Sequence, residues 1–236
     1  MQVLQVGVGN WGINHKRILS DLGVLVATVD KNGKEDYDDV DDVNVHYDHV
    51  VICTPLETHY KLVKRFLNDG KNVFVEKPLA KTTKECKELL DIAKNKGLKL
   101  QCGYVERFNP EVIKLKKSSP LTVFTRENRH YPHIKDSILL DTSVHDIDLA
   151  LWYYEEYPYK INAVHDNKYA VITLRFTTGT AVIITSWLSD RKVRTINGNS
   201  IISSHDSLKD ELLSFLSKYE TYCDNALDVM KVIESI

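Results

Sequence analysis

Two short stretches of the sequence carry side chains suited to moving a proton on or off an oxygen. Lys77 stands between Glu76 and Pro78, directly after the apolar run Val73-Phe74-Val75. Asp141 and His145 are four apart, so a helix places them on one face. An imidazole titrates near neutral pH and a neighbouring carboxylate can orient it, which is what general acid-base catalysis requires. An ammonium at the end of a strand can stabilise a developing oxyanion. Each residue also has a plainer reading: a helix histidine serves a core more often than a reaction, and a lysine is usually a solvated charge. Asp146 and Asp148 add carboxylates to the second stretch, but no His, Cys or Glu partners follow at metal-site spacing, so no metal is expected.

Placing Lys77 depends on what precedes it. The apolar run from Val3 stops at Gly7-Val8-Gly9-Asn10-Trp11-Gly12, with helical spacing from Ile13 to Leu19. Strand, G-x-G-x-x-G, then helix is the context of a dinucleotide site. Gly7 allows the tight turn, Gly9 the approach of backbone to a pyrophosphate, and Gly12 close packing of helix on strand. A second buried strand, Val24 to Val29, ends at Asp30, 18 positions beyond Gly12 (30 minus 12), near the interval at which an acid meets the adenosine ribose. This favours NAD, although Asp30 could equally be a strand-end turn residue, and Lys31 and Lys34 leave NADP open.

Glu35, Asp36, Asp38, Asp39, Asp41 and Asp42 crowd a segment without apolar periodicity and read as a solvated loop. A third strand, His49 to Cys53, ends at Thr54-Pro55. A helix from Glu57 to Asp69 stops at Gly70, a fourth strand leads to Glu76-Lys77-Pro78, a capping box at Thr82 and Glu85 starts another helix, and Leu98 to Cys102 is a fifth strand. This alternation over residues 1–103 predicts a doubly wound parallel sheet of Rossmann type.

Residues 104–236 change pattern. A crossing segment, Tyr104 to Pro110, leads into a short helix to Lys117 and a strand from Pro120 to Thr125. Arg126, Arg129, His130, Tyr131 and His133 suit an anionic or hydroxylated ligand, and loop composition alone produces the same cluster. Thr142 or Asp141 is expected to cap the helix carrying His145. From Lys160 the period is two, with a turn at Thr177 to Thr180, further strands at Lys192 to Ile196 and Ser200 to Ser203, and helices at Leu208 to Leu216 and Ala226 to Ile236. The expectation is an α+β domain with a mainly antiparallel sheet whose open face is covered by another subunit, in a homodimer or homotetramer.

The charges nearly cancel, 31 basic against 33 acidic residues among 236, which removes any global pull toward nucleic acid or membrane. The four cysteines are scattered without C-x-x-C, as for reduced thiols in the cytoplasm, and neither a leader nor a membrane span is evident.

Taken in order, Gly7 to Gly12, Thr54-Pro55-x-x-x-His59, Glu76-Lys77-Pro78 and Asp141-x-x-x-His145-x-x-Asp148 resemble the glucose-fructose oxidoreductase and inositol dehydrogenase family (Gfo/Idh/MocA). Gly103-Tyr104-Val105-Glu106-Arg107-Phe108-Asn109-Pro110 looks most like the subgroup that oxidises nucleotide-linked sugars such as UDP-N-acetylglucosamine at C3. The resemblance implies an NAD(P)-dependent oxidoreductase acting on a sugar or sugar-nucleotide hydroxyl. It implies Lys77, His145 and Asp141 as catalytic residues. Gly7, Gly9, Asn10, Trp11, Gly12, Asp30, Thr54, Pro55, His59, Glu76 and Lys77 then line the cofactor. Tyr104, Arg107 and Asn109 bind substrate, and Arg129 joins them from the basic cluster. The chain departs from the pattern in length, in the acidic loop that replaces a helix, and in strands missing from the second domain. Two other readings stay open: a non-catalytic NAD-binding sensor or scaffold, and a reductase of a non-sugar carbonyl or imine.

Overall fold

A computed structural model of the chain describes residues 1–115, 119–130, 136–217 and 224–236. The polypeptide divides into two compact units, Met1–Gly103 with Leu208–Asp224, and Tyr104–Ser207 with Asn225–Ile236.

The first unit is built on five parallel strands, β1 (Val3–Val6), β2 (Leu25–Val29), β3 (His49–Ile52), β4 (Asn72–Glu76) and β5 (Leu100–Gly103), in the order β2-β1-β3-β4-β5. β1, β3 and β5 are buried throughout, as expected of parallel strands covered on both faces. The crossovers are α1 (Gly12–Asp21), α2 (Leu56–Asn68) and α3 (Thr83–Lys96). Thr82 caps α3 by accepting from the Glu85 amide at 3.2 Å, and Gly97 closes it with φ 63°.

No α-helix joins β2 to β3, in agreement with the sequence, but the acidic segment is more than a solvated loop. Tyr37 makes a bridge to Val29, and a short 3-10 turn spans Val40–Asp42. The Asp36 carboxylate accepts from the Thr28 amide at 2.8 Å, and Glu35 pairs with Lys16 at 2.6 Å. Local hydrogen bonding folds Glu35 and Asp36, the start of the acidic run, back onto β2, which a count of charges does not reveal.

The second unit holds a six-stranded sheet, with α4 (Pro110–Leu115) and α5 (Val144–Tyr154) among its helices. Its strands are β6 (Leu121–Arg129), β7 (Lys160–His165), β8 (Tyr169–Arg175), β9 (Thr180–Ser186), β10 (Leu188–Ile196) and β11 (Asn199–Ser200), in the order β11-β10-β6-β9-β8-β7. All neighbours are antiparallel except β6 and β9, a parallel pair made possible by the long passage through α5, β7 and β8 between them. One face packs a core of Phe124, Ala170, Ile172, Leu174, Ala181 and Ile183. Between Asp136 and α5 the chain winds a π-helical turn, Leu139–Ser143, that runs straight into α5. The expected cap at Asp141 or Thr142 is therefore absent: both residues lie inside helical structure, and Thr142 Oγ1 accepts instead from Trp187 Nε1 at 2.8 Å.

Helix α6 (Ser207–Leu216) departs from the division at residues 103 and 104, because its core packs with the first unit. Phe215 is fully buried, with its ring edge-on to His49 and Phe74 at centroid distances of 5.4 and 5.7 Å. The final helix, α7 (Asp224–Glu234), buries Ala226, Val229, Met230 and Val232. Cys86 and Cys102 are buried free thiols, while Cys223, Lys116 and Lys117 lie outside the described residues. Among the described residues no helix is long and apolar enough to cross a membrane.

Phe215→Ala should cost about 3–5 kcal/mol of stability, the range for emptying a buried aromatic site. Denaturant unfolding of the whole chain checks this.

Candidate cofactor and catalytic sites

In the first unit the strand order reverses between β1 and β3, and ligands of doubly wound sheets bind at the carboxyl ends of strands on either side of such a reversal. The residues leaving that edge are Gly7 to Gly12 after β1, Cys53 to Pro55 after β3, and Lys77 and Pro78 after β4.

The glycine turn is braced from behind. Gln5, fully buried on β1, donates its side-chain amide to the carbonyls of Gly7 at 3.0 Å and Gly12 at 2.7 Å. Gly7 has φ +94°, and a β carbon there would lie 2.5 Å from the Cys53 carbonyl oxygen. A β carbon on Gly12 would collide with the Gly7 carbonyl. A β carbon on Gly9 would meet nothing within 4 Å. Two glycines thus serve packing and the third faces open space at the start of α1. There the Ile13 and Asn14 amides bond the Gly9 and Trp11 carbonyls at 3.0 Å, and the Asn10, Trp11 and Gly12 amides have no acceptor among the described residues. This arrangement fits the pyrophosphate of a dinucleotide.

Asp30 is half-buried, with one carboxylate oxygen accepting from the Val8 amide at 2.7 Å and the other from the Asn32 amide at 3.1 Å. Each oxygen retains acceptor capacity for a ribose hydroxyl, and the fixed negative charge opposes a 2'-phosphate. Lys31 and Lys34 are both exposed.

Glu76 and His59, both expected at the cofactor, are used inside the unit. Glu76 accepts from Trp11 Nε1 at 2.7 Å, and its Oε1 lies 2.8 Å from Nε2 of the fully buried His15. Burial alone would raise the Glu76 carboxyl, but the bonds from His15 and Trp11 outweigh it and hold the group below its ordinary range. The indole face of Trp11 stays half exposed. His59 is buried on α2, with Nδ1 2.8 Å from the Pro78 carbonyl and Nε2 2.8 Å from the Thr54 carbonyl. It ties the Thr54-Pro55 turn to the Lys77-Pro78 turn and presents nothing to a ligand. The spacing of a histidine five residues beyond Thr54 could have been read as this clamp. Lys77 is half-buried.

The second unit carries Asp141 on the π-helical turn and His145 at the start of α5, both half-buried. The neighbouring acids are committed elsewhere. Asp148 forms a two-bond ion pair with Arg107, one bond at 2.8 Å, and Arg107 also lies over the Tyr104 ring at 5.5 Å. Asp146 takes Arg126 Nε and Nη2, each at 3.0 Å. Arg126 also reaches Glu106 at 3.1 Å, and Arg194 joins the same Glu106 oxygen at 3.0 Å.

These bonds revise the expected substrate residues. Asn109 is buried, donates to Glu106 at 3.0 Å and to the Ile201 carbonyl at 2.8 Å, and accepts from the Glu111 amide at 3.0 Å, so its polar atoms hold the crossing segment together. Tyr104 is buried, and Arg107 keeps a quarter of its side chain exposed. Arg126 belongs to the core network, Arg129 is exposed at the end of β6, and His130 lies against Trp187 with ring centroids 4.6 Å apart and the planes tilted by 34°. Tyr131 and His133 lie outside the described residues. Sequence reading missed the network because its members come from four separate segments; the one signal was charge at inward-facing strand positions.

Residues 23–104 match a family model described as "Oxidoreductase family, NAD-binding Rossmann fold". The inositol 2-dehydrogenase/D-chiro-inositol 3-dehydrogenase of Lactiplantibacillus plantarum is 37% identical over 153 residues, 58% of this chain and 41% of that protein. The chain spans about two fifths of the length of the first curated relatives it matches. The structure resembles UDP-N-acetylglucosamine 3-dehydrogenase from Acidithiobacillus ferrooxidans with a TM-score of 0.91 and 18% identity, covering 100% of this chain and 96% of that one. It also resembles a Thermus thermophilus dehydrogenase in complex with NAD and UDP-GlcNAcA, with a TM-score of 0.83 and 18% identity over 98% and 93% of the two chains. These likenesses establish the fold expected from the sequence.

Gly9→Val should leave the thermal midpoint unchanged and weaken NAD binding at least tenfold, whereas Gly12→Ala should lower the midpoint itself; melting with and without NAD separates the two. Burial also opposes the charge on Glu106, and Arg126 and Arg194 hold its carboxyl below the ordinary range. The stability contributed by Glu76 and Glu106 is therefore full above the ordinary glutamate range and fades as pH falls through their lower folded values. Acid unfolding of Glu76→Gln should begin from a lower stability and show a shallower pH dependence.

Proposed function

From a Rossmann half that matches the NAD-binding oxidoreductase family, we propose that the chain is an NAD-dependent dehydrogenase of a sugar or sugar-nucleotide hydroxyl. The observation that carries this reading is the glycine turn, braced by Gln5 and Asp30 and open only at Gly9. NAD supplies a hydride acceptor at its nicotinamide ring. Asp30 holds the adenosine ribose, and the amides at the start of α1 hold the phosphates. Lys77, on a turn fixed from below by His59 and Glu76, donates to the substrate oxygen as negative charge develops on it. His145 accepts the hydroxyl proton, and Asp141, on the preceding helical turn, orients the imidazole or holds a neighbouring hydroxyl. Arg107 and Arg129 keep exposed cationic surface for the substrate. The relatives that support this substrate class are named for inositols and for UDP-N-acetylglucosamine.

The open face of the six-stranded sheet supports a homo-oligomer. Val164, Val171 and Leu121 on that face are 66%, 39% and 52% exposed, an apolar surface suited to a second copy of the chain.

Lys77→Ala and His145→Ala should each reduce turnover by about 10²–10⁴-fold, the range for a positioned proton-transfer group, with NAD binding retained. Stopped-flow and steady-state assays with NAD and UDP-sugars, inositols and free hexoses test this. Retained turnover removes the residue from its role, and nucleotide binding with no turnover of any sugar by the wild-type chain favours the sensor reading.

A further inference from the structure

Arg126 and Arg194 stand directly opposite each other in the antiparallel pair β6 and β10. Like charges in that position are destabilising, and here one carboxylate oxygen, Glu106 Oε1, bridges them at 3.1 and 3.0 Å. Lys192 stands two residues before Arg194 on β10, at the end of the irregular stretch between Leu188 and Val193, and its ammonium lies within electrostatic reach of Arg194, Arg126 and Glu106. The cluster therefore gathers three cations, Arg126, Arg194 and Lys192, against two carboxylates, Glu106 and Asp146.

Both carboxylates are fully engaged. Asp146 gives its two oxygens to Arg126, and Glu106 gives Oε1 to the two arginines and Oε2 to Asn109. Arg126 is buried, whereas the Arg194 side chain is 37% exposed. Among the described residues the Arg194 side chain makes no hydrogen bond except through Nη1, and Lys192 makes no side-chain hydrogen bond or ion pair. Arg194 and partial burial push the Lys192 ammonium below its ordinary range, as expected where positive charge is in excess. Donors remain at Arg194 Nε and Nη2, on the side of the sheet that faces α5, whose His145 directly precedes Asp146, and at Lys192 Nζ near Arg194.

We propose that Lys192 and Arg194 form an oxyanion site in the second unit, taking a phosphate or carboxylate group of the substrate. Arg194 offers a planar pair of donors suited to two oxygens of one group, and Lys192 adds a point charge. Glu106, itself fixed by Arg126 and Asn109, holds the Arg194 guanidinium in place from behind. The assignment rests on the dehydrogenase reading only for the identity of the ligand, and it narrows that reading to sugars that carry a negative charge.

The test is equilibrium binding of UDP, inorganic phosphate and glucuronate to the intact chain and to Lys192→Gln/Arg194→Gln, by titration calorimetry. Wild type should bind at least one probe, and the double variant should bind it at least tenfold more weakly with NAD affinity unchanged. Preference for UDP assigns a phosphate, preference for glucuronate a carboxylate, and inorganic phosphate alone a small free anion rather than a substrate group, which overturns the proposal. If the double variant melts early because Glu106 loses a partner, Lys192→Gln alone should still weaken binding at least threefold. Equal affinity in that variant, or no binding of any probe by wild type, refutes the site. Oxidation of neutral inositol without oxyanion binding refutes the site and keeps the dehydrogenase; oxyanion binding without turnover of any sugar does the reverse.

Discussion

A turn with no room for a β carbon governs the first unit. The chain leaving β1 passes so close to the Cys53 carbonyl, and α1 so close to the Gly7 carbonyl, that only glycine fits at residues 7 and 12. Such close passage brings carbonyls into a buried region, and each needs a donor. Gln5 answers both at once from within β1, a position where a buried parallel strand ordinarily carries an aliphatic side chain. Asp30 answers the Val8 amide from the end of β2. The open space at Gly9 is the consequence: the turn is held by its own strands, so its outer side is left for something else.

The same constraint, that a buried polar group must be paired, shapes the rest of the site. His59 sits between two backbone carbonyls, and Glu76 between an indole and an imidazole, so the turns bearing Thr54 and Lys77 are fixed by side chains beneath them. In the second unit the constraint acts on full charges. Arg126, almost completely buried, is tolerable only because Asp146 and Glu106 occupy its guanidinium on both edges. That network links β6, β10, the segment after β5 and α5, and it holds the helix that begins with Val144 and His145.

Periodicity and glycine placement made the Rossmann half legible, because apolar strands, helix stops at Gly23, Gly70 and Gly97, and the capping threonine are all local signals. The parallel pairing of β6 with β9 was not, since nothing local distinguishes it from an antiparallel return. Helix α6 was assigned by chain order to the second domain, whereas Phe215 packs on rings of the first. Among the site residues, motif matching brought together side chains and backbone left open at the sheet edge and the side chains that support them. Gly9 and Asp30 keep surface or acceptor capacity for a ligand, while His59, Glu76 and Asn109 are spent inside the protein. A motif preserves both kinds of residue, because losing the support displaces the group it supports.

That distinction changes what Arg126 and Arg194 mean. Read along the sequence, basic residues near the end of β6 form one cluster. In the structure the buried member is neutralised by carboxylates on two sides, and the half-exposed member across the ladder has one shared oxygen. A cluster that existed only for stability would match its carboxylates to its cations, whereas Arg126, Arg194 and Lys192 together outnumber Glu106 and Asp146 by one. Here the surplus lies at the solvent-accessible end, where an anion from outside can complete it, and the paired core fixes the direction in which the remaining donors point.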